Sequence, residues 1–222
     1  PIGIARTSSG ILTELTTDII SGDLDDDEEE ELIADLRHTC ELMERNLERA
    51  RRLITSFKKL SASQFSNENQ EHRLVDVIQD SLESSTPLLK KKQITWSLDI
   101  EEGLDDSWFG HSGHLSQVLL NLIQNTERYA YERGDQGTIL VSVQGGDGSF
   151  RICFSDKGRG VKPDILPKIF EPFVTSGRDL GGTGLGLAIS HNIVTNLLGG
   201  TIRCQSTLGE GTDFIIKLPT GM

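Results

Sequence analysis

The sequence predicts two domains, a helical hairpin followed by an α/β domain in which strands alternate with helices. Its 222 residues suit two domains of ordinary size. An apolar repeat like that of a coiled coil occupies residues 32–57, and beyond residue 73 short strand patterns separate amphipathic helix patterns. We therefore predict the hairpin in residues 1–62, a polar linker in residues 63–72 and the second domain in residues 73–220.

The hairpin is predicted from two helical patterns that an acidic run at residues 23–31 separates, and this run is expected to be a solvated loop. The predicted seam of the second helix consists of Leu32, Leu36, Cys40, Met43, Leu47, Ala50, Ile54 and Phe57. Two antiparallel helices with such narrow seams bury little apolar surface alone. We therefore expect two copies to pair as a four-helix bundle.

The second domain is predicted from apolar periodicity and turn residues. We expect helices over residues 74–91, 111–132 and 185–198, and strands over residues 93–100, 138–143, 150–155, 201–205 and 212–218.

Composition excludes several classes of function. A net charge of −12 disfavours a nucleic-acid partner, because phosphate contacts need clustered Lys and Arg. Cys40, Cys153 and Cys204 are odd in number and far apart, which is typical of reduced thiols in the cytoplasm. No apolar run approaches the ~20 residues that cross a bilayer. We expect no membrane contact from these residues, although a longer parent protein can carry an anchor.

Two asparagines lie four residues apart on one face of the predicted helix 111–132. Asn121 and Asn125 stand apart from its apolar stripe, with Arg128 and Tyr129 one turn further on. Such a pair fits a solvated polar face. An amide oxygen is also a ligand that Mg²⁺ accepts beside water and phosphate.

A carboxylate followed by two glycines ends the predicted strand 150–155. Asp156 comes directly after this strand and precedes Gly158 and Gly160. Such an acid can accept a hydrogen bond from an exocyclic amine while the backbone turns closely around the ligand. The same pattern also occurs in ordinary turns.

A glycine-rich loop begins the last predicted helix. Residues 181–187 read Gly-Gly-Thr-Gly-Leu-Gly-Leu, and they follow a hydrophobic Ile-Phe-Glu-Pro-Phe segment at residues 169–173. Backbone N–H groups in a loop at a helix N-terminus suit phosphate, whereas a flexible loop without a ligand is an equal alternative. The spacing matches neither the dinucleotide-binding fingerprint nor the P-loop.

In this order, the four segments closely resemble the N, G1, F and G2 boxes of the ATP-binding domain of sensor histidine kinases, within the GHKL superfamily. The resemblance covers residues 73–219. It implies an α+β two-layer sandwich, the GHKL or Bergerat ATP-binding fold, with a mixed sheet and helices on one face. It also implies ATP and Mg²⁺ as cofactors. The implied partners are a second copy, through the hairpin, and the receiver domain of a response regulator.

The resemblance also implies roles for individual residues. Asn125 matches the magnesium-ligating asparagine, Asp156 the acid that bonds the adenine amino group, and Thr212 a threonine near the adenine. The implied ATP-binding residues are Asn121, Asn125, Arg128, Tyr129, Asp156, Gly158, Gly160, Gly182, Thr183, Gly184, Leu185, Gly186 and Thr212. Thr126 stands where the family usually has alanine, and we expect little consequence from this change.

Position 121 distinguishes branches of the superfamily. Related ATPases and anti-sigma-type serine kinases typically have a glutamate general base four residues before the metal-binding asparagine. Asn121 cannot accept a proton near neutral pH. This favours a histidine kinase over those branches, while a nucleotide-binding pseudokinase with a regulatory role remains the alternative.

The first residues resemble the end of the family's phosphoacceptor box. Pro1 and the three residues after it continue that box from its proline, so we expect the acceptor histidine five residues upstream of Pro1. His38 lacks the flanking residues of the box, and we expect the other four histidines to be structural or solvated. The expected protein is a cytoplasmic kinase core, and this chain is not expected to phosphorylate itself.

Overall fold

A computed structural model describes residues 10, 13, 16, 17, 30, 33–47, 50, 69–132, 134–175 and 182–221. The chain divides into two units, Pro1–Lys59 and Leu60–Met222. Most of the predicted first helix, the acidic run apart from residue 30, and residues 63–68 of the predicted linker lie outside the described residues.

In the first unit, residues 33–47 form a helix whose apolar side chains are only partly covered. Leu36, Met43 and Ala50 of the predicted seam are half-buried. These three residues are seven apart, so they lie along one side of the helix. The seam residues Leu32, Ile54 and Phe57 lie outside the described residues.

Cys40 and Leu47 of the predicted seam lie on the uncovered side of this helix. Both are exposed, with Leu47 54% exposed, whereas Thr39 is half-buried and Asn46 is buried at 8% exposure. The Asn46 side-chain amide donates to the Leu42 carbonyl at 2.8 Å, which satisfies it within the helix. The apolar stripe is wider than the covered side of the helix, and its Cys40–Leu47 flank faces outward.

The second unit holds the predicted α/β domain, with strands and helices along the described residues. The elements are β1 (Gln70–Arg73), α1 (Leu74–Lys90), β2 (Ile94–Ile100), β3 (Ser107–Gly110), α2 (Ser112–Asn125), β4 (Gly137–Gly146), β5 (Ser149–Asp156), α3 (Gly186–Asn192), β6 (Thr201–Thr207) and β7 (Gly211–Pro219). Two π-helical turns, Thr126–Ala130 and Ile193–Leu197, continue α2 and α3 without a break.

Five strands form one mixed sheet in the order β2-β4-β5-β7-β6. β2 and β4 are parallel, and the other neighbours are antiparallel. Alternate side chains of β4 and β5 are buried on one face, namely Ile139, Val141, Val143, Phe150, Ile152 and Phe154. The helices cover this face, and the opposite face carries exposed side chains such as Leu140 and Arg151. The predicted two-layer sandwich is confirmed.

Sequence analysis missed a two-stranded ribbon of β1 and β3, and β1 overlaps the predicted linker. Trp108 in β3 is only 2% exposed. Asp106 fixes the ribbon to the start of α1, because its carboxylate accepts from Arg73 Nε at 3.2 Å and from the Val75 N–H at 3.3 Å. A polar four-residue strand whose partner lies more than 30 residues away leaves no local pattern.

The predicted helix over residues 111–132 changes type within its length and ends two residues early. The α-helix stops at Asn125, and the π-helical turn ends at Ala130 because Tyr131 adopts an extended conformation, with φ −125° and ψ 147°. No glycine or proline stands at this boundary, so the change of helix type has no sequence signal. It matters because the turn faces the end of β5.

Candidate nucleotide site

The asparagine face of α2 lies opposite its core stripe. Leu115, Val118, Leu119, Leu122 and Ile123 are all fully buried, which fixes the rotation of the helix and turns the asparagines away from the core.

Asn121 connects α2 to α3. Its Nδ2 donates to the Gly186 carbonyl and to Ser190 Oγ, both at 3.1 Å, and its Oδ1 accepts from Gln117 Nε2 at 3.1 Å. The start of the glycine-rich helix is thus held directly against the asparagine face. With its oxygen and nitrogen both engaged, Asn121 makes a bridge between two helices.

Asn125 differs from Asn121 in its hydrogen bonding. Its Nδ2 is buried and has no hydrogen-bond partner among the described residues. A buried polar atom without a partner is costly, and in native proteins it commonly indicates a ligand or ion. The side chain of Asn125 therefore fits a residue that binds a ligand.

The π-helical turn brings the amide segment to the end of β5. Thr126 is 2% exposed, and its hydroxyl donates to Asp156 Oδ2 at 3.4 Å. The expectation that a threonine here has little consequence overlooked this hydrogen bond. Further along the turn, Arg128 is exposed and Tyr129 is half-buried, with the Tyr129 carbonyl accepting from Arg159 Nε.

Asp156 is buried at the end of β5, at 6% exposure. Burial raises the pKa of this carboxyl, and nearby Asp213 raises it further, while hydrogen bonds from the Gly158 N–H and the Thr126 hydroxyl oppose the shift. The Gly158 N–H donates to Asp156 Oδ1 at 2.9 Å. A Cβ at Gly158 would collide with the Ala130 carbonyl, so only glycine allows this turn to approach the π-helical turn.

Thr212 lies beside Asp156, because Asp156 and Thr212 are paired in the β5–β7 ladder. Thr212 is buried, and its Oγ1 is 3.0 Å from Ser206 Oγ. Ser206 also accepts from the Val161 N–H at 2.9 Å and donates to the Gly211 carbonyl at 2.6 Å. Ser206 thus joins the loop after Gly160 to the β6–β7 hairpin. This role could not be predicted from the sequence, where Ser206 is one of several alternating polar residues of a strand.

The glycine-rich loop folds back on the hydrophobic segment before it. The Phe173 N–H donates to the Gly184 carbonyl at 2.8 Å, and both residues have a left-handed φ of 68°. A Cβ at Gly184 would lie 2.5 Å from the Phe173 carbonyl carbon, so glycine is required here. Thr183 Oγ1 accepts from the Leu185 N–H at 3.3 Å. Gly182 and Leu185 are buried, Gly186 is half-buried, and Gly181 lies outside the described residues.

The predicted site residues therefore lie in two groups. One group joins the asparagine face to the start of α3 through Asn121 and Gly186. The other joins the π-helical turn to the ends of β5 and β7 through Thr126, Asp156 and Thr212. The contributions of Tyr131, Arg159 and Ser206 were not predictable from the sequence, because their partners are brought together only by the fold.

Cys40, Cys153 and Cys204 are free thiols. Burial raises the pKa of Cys204 to about 12, and Asp156 and Asp213 contribute to the shift.

In the part of the chain that the structure describes, no helix has both the length and the apolarity that a membrane span needs.

Residues 110–222 match the protein family described as histidine kinase-, DNA gyrase B-, and HSP90-like ATPase. The autoinducer 2 sensor kinase/phosphatase LuxQ of Vibrio parahaemolyticus is 30% identical over 178 residues, which cover 75% of this chain and 20% of LuxQ. Sensor histidine kinase ZraS of Escherichia coli K12 is 40% identical over 108 residues, which cover 49% of this chain and 22% of ZraS. The chain thus spans about one fifth of the length of these curated relatives.

Solved structures of histidine kinases resemble this chain in fold. The catalytic domain of histidine kinase ThkA has a TM-score of 0.60 at 26% identity, covering 70% of this chain and 97% of the ThkA domain. ThkA in complex with the response regulator protein TrrA has a TM-score of 0.63 at 22% identity, covering 97% of this chain and 58% of ThkA. At this lower identity the likeness shows the fold alone.

Proposed function

Because the chain belongs to the family of histidine kinase-, DNA gyrase B-, and HSP90-like ATPases, we propose that it is the catalytic core of a sensor histidine kinase. It binds Mg-ATP and transfers the γ-phosphoryl group to a histidine, from which an aspartate of a response-regulator receiver domain takes it. The reaction takes place in the cytoplasm, where ATP is available. The sensor kinases among its relatives support this assignment.

The observation that carries the proposal is the state of Asn121. An ATPase of this family that activates water needs a general base next to the metal-binding asparagine, but Asn121 offers a neutral amide whose two polar atoms bond other residues. A neutral imidazole is a competent nucleophile without such a base. A histidine acceptor therefore suits this site better than water does.

Nucleotide binding is divided between the two groups of site residues. Asp156 accepts a hydrogen bond from the adenine amino group, and Thr212 closes the same end of the pocket. The backbone N–H groups of the glycine-rich loop and Arg128 would face the phosphates, and Tyr129 would lie near the nucleotide. Asn125 would hold Mg²⁺ through its amide oxygen, because this ion prefers oxygen ligands. When bound, Mg²⁺ offsets the negative charge that the phosphates carry during transfer.

We do not expect the acceptor histidine among the five histidines of this chain. The four in the second unit are engaged with neighbouring rings: His72 lies near Trp108, His111 stacks on His114, and His191 lies against Phe170. His38 lies within the helix of residues 33–47 and has no acceptor box around it. We expect this chain to phosphorylate a histidine that lies outside its own residues.

The test is nucleotide binding and phosphotransfer by Asn125→Ala. We expect at least a tenfold loss of Mg-ATP affinity by calorimetry, because the variant removes a metal ligand, and a parallel loss of transfer from γ-labelled ATP to a protein carrying the complete acceptor box. The control is Asn196→Ala, which removes an exposed helical asparagine whose side chain donates to Asn192.

Two outcomes would contradict the proposal. Absence of ATP binding at millimolar Mg-ATP would favour a regulatory module without catalysis. Acid-labile labelling of this chain by itself, with the acceptor box absent, would show that one of its own histidines is the acceptor.

A further inference from the structure

Tyr131 follows the π-helical turn, and its hydroxyl bonds three backbone groups. It donates to the Thr138 carbonyl at 2.8 Å and accepts from the N–H groups of Thr138 and Lys157, both at 3.0 Å. A phenol offers one donor and two acceptor lone pairs. These three partners therefore use the full hydrogen-bonding capacity of the hydroxyl.

The hydroxyl lies where the β4–β5 ladder ends. The last pair of this ladder is Ile139 with Asp156, and in the same register the next pair would be Thr138 with Lys157. Both of these residues bond Tyr131 instead. The phenol thus occupies the position of the next rung and separates the two strands where the loop after Asp156 begins.

Gly137 makes room for the tyrosine ring. A Cβ at this position would lie 2.5 Å from Tyr131 Cε2 and 2.7 Å from Cδ2, so a side chain at the first residue of β4 would displace the ring. The preceding residue also holds this loop, because the Arg159 N–H donates to the Ala130 carbonyl at 2.8 Å. Two successive residues, Ala130 and Tyr131, therefore hold the loop at residues 157–159.

We propose that Tyr131 is a positioning residue for adenine recognition. By fixing the Lys157 N–H, its hydroxyl holds the carboxylate of the adjacent Asp156 where the adenine amino group donates to it. The residue does not touch the nucleotide; it acts through Asp156. This inference rests on the proposed function, since it takes Asp156 as the adenine acceptor.

Loss of the hydroxyl should appear as a loss of base selectivity. Adenine presents an amino donor where guanine presents a carbonyl acceptor, so discrimination depends on the position of the Asp156 oxygens. Sites that recognise a substrate by buried hydrogen bonds lose discrimination when that geometry is relaxed. We expect Tyr131→Phe to weaken Mg-ATP binding about tenfold while Mg-GTP binding changes less than threefold, on the scale of one hydrogen bond to a charged group.

The experiment compares Tyr131→Phe with Thr86→Val in the full chain. Thr86→Val removes the acceptor of the Trp96 Nε1 hydrogen bond, 2.9 Å long, which joins α1 to β2 away from the loop. It therefore controls for the loss of one hydrogen bond to an aromatic side chain. Dissociation constants for Mg-ATP and Mg-GTP are measured, together with amide hydrogen exchange of Lys157 and Thr138 in the nucleotide-free protein.

The expected result is reduced ATP-over-GTP selectivity and faster exchange at Lys157 and Thr138 in Tyr131→Phe, with neither change in Thr86→Val. Unchanged selectivity or unchanged Lys157 exchange in Tyr131→Phe would overturn the inference. An equal loss of ATP and GTP binding would also overturn it, because that pattern indicates general destabilisation.

Failure of the proposed function gives a different pattern. If Asp156→Asn keeps the selectivity of the unmodified protein, then Asp156 is not the adenine acceptor, and the assignment of the base pocket fails first. The exchange measurement needs no nucleotide. It reports whether Tyr131 holds the loop even in that case.

Discussion

At the scale of single residues, burial of the Asp156 carboxylate lowers the stability of the folded protein. Its carboxylate is buried and has a raised pKa, so ionising it in the folded protein is less favourable than in the unfolded chain. Hydrogen bonds from the Gly158 N–H, the Thr126 hydroxyl and the Thr212 backbone partly offset this cost. A group held under such conditions is typical of functional sites.

The sign of the pH dependence follows from the raised pKa. The stabilising effect of a protonated Asp156 is fully present below the usual carboxyl pKa of 3.8 and is lost as the pH rises through the higher pKa of the folded state. Asp156→Asn has no carboxyl to ionise, so this variant does not lose that stability as the pH rises. We expect its melting temperature at pH 7 to rise by about 2–4 °C, the change that ~1 kcal/mol produces in a protein of this size.

The measurement is thermal unfolding of the nucleotide-free proteins from pH 4 to pH 7. The difference between Asp156→Asn and the unmodified protein should grow with pH across this range. A difference that shrinks as the pH rises would show that the Asp156 carboxylate is stabilised by folding.

At the scale of secondary-structure elements, sequence periodicity predicted the long helices and central strands well. α1, predicted over residues 74–91, ends one residue earlier, and β4 and β5 include the predicted strands. The ribbon of β1 and β3 and the helix change at Thr126 were missed, because both depend on distant contacts. The role of Tyr131 was equally hidden, since its partners lie seven and 26 residues further along the chain.

The residues of the candidate site could be predicted from the sequence, but the contacts between them could not. Asn121, Asp156 and the glycines stand out by type and spacing. The bridge from Asn121 to Gly186, however, joins residues 65 apart, and the bond from Thr126 to Asp156 joins residues 30 apart. Contacts at such separations come from the packing of the helices on the sheet, and no local pattern carries them.

α1 continues through Pro87, which lies inside its last turn. A proline in a helix interior removes one backbone hydrogen bond and crowds the preceding turn, at a cost of about 3 kcal/mol. Pro87 is exposed, so Pro87→Ala loses little packing. Since proline also restricts the unfolded chain by up to ~1 kcal/mol, we expect a net stabilisation of about 1–2 kcal/mol in urea unfolding. A destabilised variant would indicate that the proline is needed to position Thr86 for its hydrogen bond from Trp96.

At the scale of the whole molecule, the helix of the first unit presents apolar side chains to solvent. Ile33, Cys40 and Leu47 are seven residues apart and exposed, at 43% for Ile33 and 54% for Leu47. A stripe with this period is typical of a helix that packs against others in a bundle. It supports the proposed homodimer through the hairpin.

We expect Leu47→Glu to weaken dimerisation at least tenfold, because it places a charge in the apolar stripe. Sedimentation velocity over a range of concentrations measures this change. Leu208→Glu is the matched control, since Leu208 is equally exposed, at 57%, but lies in the β6–β7 turn of the other unit. A dimer that survives Leu47→Glu and dissociates with Leu208→Glu would place the interface on the second unit.

The hydrogen bond from the Phe173 N–H to the Gly184 carbonyl bears on where this protein tolerates insertions. It holds Phe173 and Gly184 together, and Asn121 fixes the chain just beyond them at Gly186. Closure entropy grows only slowly with length, by about 0.6 kcal/mol for each doubling. We therefore expect insertions between residues 173 and 182 to cost the fold little as long as Phe173 and Gly184 still meet.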